Sequence, residues 1–97
     1  MVLISTSDLI VASTQQLSEV LVDEAIILNA ESGEYFGLAG VGLSIWRKLQ
    51  EPISVTDLHA ALLEEFEVES DACERDLHSL LEEMRRAGLI EVRDVKT

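Results

Sequence analysis

Apolar residues come in short runs separated by polar steps as far as residue 38, and from residue 41 onward they recur at helical spacing. LSEVLVDEAIILN, residues 17–29, holds two such runs, Val20-Leu21-Val22 and residues 25–28, split by Asp23-Glu24. Runs of this kind predict a hairpin, although the step lacks the glycine that tight turns prefer. Residues 30–33 form a second predicted turn and residues 34–38 a third strand, which gives a three-stranded antiparallel meander. Residues 41–50 predict a first helix that buries Ile45, Trp46 and Leu49; Pro52 ends it, because the residue before a proline avoids helical geometry. Ser54-Val55-Thr56-Asp57 has the form of a capping box. It opens a second helix with Leu58, Ala61, Leu62 and Phe66 on one face. Ser70-Asp71 starts a third, whose apolar positions Cys73, Leu77, Leu80, Leu81 and Met84 make one continuous stripe. Arg85 and Arg86 complement the end of that helix, and Gly88 is a left-handed stop.

Three strands followed by three helices predict an α+β fold, winged-helix-like in its arrangement. The first ~16 residues read as either a loose arm or an added strand, and residues 89–92 as a short packed tail. The organisation is therefore an arm (1–16), a domain (17–92) and a tail (93–97).

Composition narrows the possible functions. With 47% hydrophobic residues the chain is expected to pack rather than stay disordered. It has no run of about 18 apolar residues, so no transmembrane helix is expected. Its start, MVLISTSDLI, lacks a basic region and is interrupted by Asp8, which argues against a signal peptide. The single cysteine, Cys73, cannot form an internal disulfide, and a cytoplasmic setting fits. Nineteen acids against seven bases give a formal charge of −12. That balance disfavours nucleic acid and anionic membranes as partners. The third helix shows the same sign: Asp71, Glu74, Asp76, Glu82 and Glu83 outnumber Arg75, Arg85 and Arg86, the wrong surface for a DNA groove.

No catalytic constellation emerges. His59 and His78 fall on different predicted helices, and Cys73 and His78 lie about 140° apart around one helix. A Cys-His nucleophile would need His59 to approach Cys73. Metal-ligand spacing is absent. Gly37, Gly40 and Gly42 do not make a nucleotide-binding pattern. The expectation is a protein that is not an enzyme and needs no cofactor or metal. One feature calls for another kind of explanation: Tyr35 and Phe36 are neighbours on a strand, so their side chains point to opposite faces and cannot share one core.

The ordered set of elements resembles the PqqD-like family, the peptide-recognition elements of ribosomal peptide-modification pathways. The likeness runs over residues 17–92. It is carried by a hydrophobic strand, then Gly33-Glu34-Tyr35-Phe36-Gly37-Leu38, then Val41-Gly42 and Ile45-Trp46. It continues through Leu58 to Leu62, Phe66, Val68, Asp76 and Leu80-Leu81 to Gly88-Leu89-Ile90. Ala39 departs from the pattern, since many relatives have a polar residue there. The resemblance implies that a precursor's leader peptide adds as an extra strand to the edge of the third strand, beside the third helix. The implied peptide-binding residues are Glu34, Tyr35, Phe36, Gly37 and Leu38 on the strand, with Cys73, Asp76, Leu77, Leu80 and Met84 on the helix. One of Tyr35 and Phe36 would then pack inward and the other line the groove; packing of both within the sheet is the alternative. A proline at Phe36 is the expected way to block the edge.

The chain is similar to the stand-alone members of lasso-peptide pathways, towards which its length and the Tyr35-Phe36 strand lean, and also to PqqD itself. The lasso-pathway members deliver precursor to a separate leader peptidase, a transglutaminase-like cysteine protease. The alternatives are a PqqD-type chaperone that presents a precursor to a radical-SAM enzyme and, less favoured, a winged-helix transcription regulator.

Overall fold

In the computed structural model, which describes residues 4–14 and 16–93, the strands are β1 (Leu9–Ala12), β2 (Gln16–Val20), β3 (Glu24–Asn29), β4 (Tyr35–Ala39), β5 (Ile53–Ser54) and β6 (Ile90–Arg93). The helices are α1 (Val41–Lys48), α2 (Val55–Glu65) and α3 (Ser70–Arg86). The expected three-stranded antiparallel sheet is β2-β3-β4, and the three helices follow it. Its first turn differs from the expectation by one residue. Leu21 N–H donates to the Glu24 carbonyl (2.7 Å), so Val22 and Asp23 form the turn and Val22 is almost wholly exposed. Hairpin register, fixed by which side chains reach the core, overrides the run of aliphatic residues.

A second sheet, β5-β1-β6, gathers segments that are far apart in sequence. Ile10 pairs with Ile53 on one side and Val92 on the other. Of the two readings left open for the N-terminal segment, residues 9–12 are thus an added strand. Upstream, the N–H of buried Ile4 donates to Glu82 Oε2 (2.9 Å). That bond, with Arg85 beside it, holds the Glu82 carboxyl below its usual range. Residues 1–3 and 15 of the expected arm and 94–97 of the expected tail lie outside the described residues.

The core lies between the inner face of β2-β3-β4 and the helices. Alternation along β3 buries Ala25, Ile27 and Asn29 and leaves Ile26 half-exposed. Trp46, Leu58, Leu62, Leu77, Leu81 and Met84 supply the helical side of the core. Each large aliphatic side chain so buried contributes about 1.5–3 kcal/mol. Ser54 caps α2 as expected, its Oγ accepting from Asp57 N–H at 3.0 Å. Gly88 (φ +73°) stops α3, with Leu89 N–H on the Met84 carbonyl and Gly88 N–H on the Arg85 carbonyl. These two bonds are the Schellman pattern.

Candidate functional site

β4 is an edge of its sheet, paired with β3 on one side only. Asn29 N–H donates to the Glu34 carbonyl (2.8 Å), and from there the register runs Leu28 with Tyr35, Ile27 with Phe36 and Ile26 with Gly37. Antiparallel pairs alternate between bonded and non-bonded. The Glu34 carbonyl and the main-chain groups of Phe36 and Leu38 therefore turn towards β3, while Tyr35, Gly37 and Ala39 turn theirs to the open edge. The β2 side agrees, because the Leu21–Glu24 bond assigns the even-numbered residues of β3 to β2 and leaves the odd ones for β4. Proline at Phe36 would thus break the ladder inside the fold. The position that tests the edge is Gly37, where an added Cβ meets nothing within 4 Å.

The same alternation separates the aromatic pair. Phe36 and Leu38 face inward and pack on the core, whereas Tyr35 is 72% exposed on the outer face. Tyr35 stands there in a cross-strand row with Leu28 and the exposed Leu17. Glu34 precedes the strand and closes its turn, with its N–H on Ser32 Oγ.

At the C-terminal end of β4 the chain turns through Gly40 (φ +56°) directly into α1. Val41 and Gly42 there begin the wall of an apolar groove of about 430 Å³. Gly42 also lets the helix seat closely on β4, since a Cβ on it would lie 3.2 Å from Leu38 Cδ2. Ile45 of α1, Leu62 of α2 and Phe66 just after it form the floor, and the opposite wall is α3 with Cys73, Asp76, Leu77 and Leu80. Four of the five helix positions expected from the sequence are thus brought together. The fifth, Met84, is fully buried and does not line the groove. The helical stripe marks both core and groove, and only the depth of packing separates them. Sequence reasoning also missed Val41, Val68 and Glu69, although two exposed valines flanking helix ends were a usable signal.

Asn29, likewise not anticipated, ties the β3–β4 turn to the C-terminal end of α3. Its Nδ2 donates to the Ala87 carbonyl at the end of α3 (2.7 Å), and its Oδ1 accepts from Glu31 and Ser32 N–H in the β3–β4 turn. One buried side chain therefore ties the hairpin carrying the open edge to the helix carrying the groove wall.

The groove holds the only cysteine. Burial pushes the Cys73 thiol above its ordinary value, and the negative charge of Asp76 adds to the effect. Cys73 is therefore expected to react with iodoacetamide at neutral pH more slowly than a cysteine in an unstructured peptide, the rate climbing as pH rises. An equal rate would contradict the buried placement. His59 Nε2 lies 3.0 Å from the Ser70 carbonyl, and His78 lines the solvent side of α3 with Asp71 and Glu74. Among the described residues no cluster could hold a metal ion, and no helix is long and apolar enough to cross a membrane.

Comparisons with known proteins agree with this architecture. No curated protein matches the chain. Two solved structures do. One is TbiB1 in complex with the TbiA(beta) leader peptide, with 32% identity and a TM-score of 0.77 over 84% of this chain and 94% of that one. The other is a lasso peptide synthetase B1 complexed with the leader peptide, with 24% identity and a TM-score of 0.73 over 84% and 96%. Residues 24–90, from the start of β3 to the start of β6, match the family described as coenzyme PQQ synthesis protein D. The chain that carries the open edge of β4 and the adjoining groove belongs to the PqqD family.

Proposed function

We propose that this chain binds the leader peptide of a ribosomally made precursor, in a lasso-peptide pathway, and delivers it to a separate leader peptidase. The observation that carries the reading is the unpaired edge of β4 ending at an apolar groove. An exposed edge invites pairing with another chain. Strand addition gains affinity from the main-chain groups and specificity from side-chain pockets. In this reading Tyr35, Gly37 and Ala39 pair with the leader, Cys73, Asp76, Leu77 and Leu80 line the groove it enters, and Phe36 and Leu38 support the strand from inside. Glu34 closes the turn that presents the strand, and Met84 supports the helix from the core. The protein performs no chemistry itself; the transglutaminase-like cysteine protease cuts the leader, in the cytoplasm. The likeness to two leader-peptide complexes supports this reading.

A second reading is favoured by the family match itself: a chaperone that presents its precursor to a radical-SAM enzyme, as the resemblance to PqqD implies. Both readings use the same edge and groove. A transcription regulator is disfavoured by the acidic α3, where Arg85 is already paired with Glu82.

Amide hydrogen exchange with and without the leader of a neighbouring precursor gene tests the proposal. Protection is expected to rise at Tyr35, Gly37 and Ala39 and in the first half of α3, and to change little at the start of α2. Protection confined to α2 or to residues 4–8 would rule out strand addition here. The peptidase alone should cleave the precursor more slowly than the peptidase with this protein.

A further inference from the structure

The groove is apolar except for one thiol and two carboxylates, Glu69 and Asp76. Glu69 is the residue before α3 and Asp76 comes seven residues later. Seven residues are almost two full turns, so both lie on one side of the helix, about 10 Å apart along its axis. Cys73 lies between them on the same wall. Both carboxylates are exposed, and among the described residues neither is in an ion pair. Nearby cations are directed elsewhere: Lys48 is on Glu65, Arg85 is on Glu82, and Arg75 lines another face of α3 with Asp71 and Glu74. The groove therefore combines an apolar floor with uncompensated negative charge at its rim, on a chain of net charge −12. An acidic peptide laid here would meet like charge beside a desolvating surface, a repulsion that charge complementarity avoids.

The geometry points to a leader segment that places one bulky apolar side chain in this groove between two basic residues, one reaching Glu69 and the other Asp76. This assignment rests on the leader-peptide reading above. An extended chain advances about 3.3 Å per residue and only alternate side chains share a face, so basic residues two positions either side of the anchor are about 13 Å apart, a span their flexible side chains close onto carboxylates ~10 Å apart. Lysine or arginine at that separation, with the apolar anchor between them, satisfies both carboxylates.

Selection of random peptides displayed on phage against the purified protein tests the assignment. Enriched sequences should carry an apolar residue flanked by Lys or Arg at this spacing. Against Glu69→Gln/Asp76→Asn the apolar preference should persist while the basic preference disappears. Each single substitution should weaken a selected peptide about two- to fivefold, as for exposed ion pairs, and less at high salt. Both side chains are exposed, so neither change removes a packed group. Enrichment without basic residues, or an unchanged basic preference in the double variant, overturns the charge assignment. If those peptides still protect the β4 amides, the leader-binding reading stands without it. Peptides that enrich but leave β4 unprotected, or a selection that yields none, overturn both.

Discussion

Gly37→Pro is expected to bind the leader peptide about ten- to a hundredfold more weakly than the parent protein, whereas Gly37→Ala should bind like it. Gly37 is opposite Ile26 in a non-bonded pair, so its N–H faces the open edge and is not used in the fold. Proline removes that donor and puts its ring where an incoming strand must lie. The lost bond, together with a leader carbonyl left unsatisfied, costs about 1–3 kcal/mol. The folded state should tolerate the change. Phe36, the preceding residue, is already extended as a residue before proline must be, and Gly37 lies outside the left-handed region with free space around its Cβ. Edge strands accept proline on their solvent side. Thermal unfolding should therefore differ by no more than about 1 kcal/mol between the variants, as compatible proline substitutions do. Titration of labelled leader peptide into each variant reads the effect. Parental affinity in Gly37→Pro would remove β4 as the docking strand.

Phe36→Pro is the contrasting case, and it marks what could be read from sequence. The existence and order of the sheet and helices follow from periodicity, because burial on one face dictates the spacing of apolar residues. Which face Phe36 takes depends on register, and register depends on the closing bonds at Leu21–Glu24 and Asn29–Glu34, which no local pattern specifies. The helix stripe was legible as a stripe. Its division into groove (Cys73, Asp76, Leu80) and core (Met84) is set by how the other elements pack against each position, a tertiary outcome. The second sheet was least legible. β1, β5 and β6 are two to four residues long and come from three distant segments, so their pairing is a tertiary outcome rather than a propensity.

Asn29→Ala is expected to be among the more damaging single changes outside the hydrophobic core, lowering stability by about 2–4 kcal/mol. It removes one bond to the buried Ala87 carbonyl, which is left without that partner, and two from the part-buried Glu31 and Ser32 amides. Asn29→Asp separates the two halves of the role. The carboxylate can still accept from the turn amides, but it cannot donate to the Ala87 carbonyl, and it sits at the negative end of α3. That environment raises the folded-state pKa of the new aspartate above its unfolded value. The variant should therefore be least stable at neutral pH and regain stability as pH falls through the folded pKa, where the protonated acid can donate. The partner position behaves differently. Gly88→Ala forces an L side chain into φ +73° and puts its Cβ 2.4 Å from Asn29 Nδ2, so the asparagine must leave its bonds. The double variant Asn29→Ala/Gly88→Ala has lost the clash and the bonds together, so its cost should fall short of the sum of the singles. Chemical denaturation of the four proteins measures that coupling. Strictly additive costs would mean that a Cβ at residue 88 does not displace Asn29 from its bonds, and that the tie between the β3–β4 turn and the end of α3 does not depend on the space Gly88 leaves.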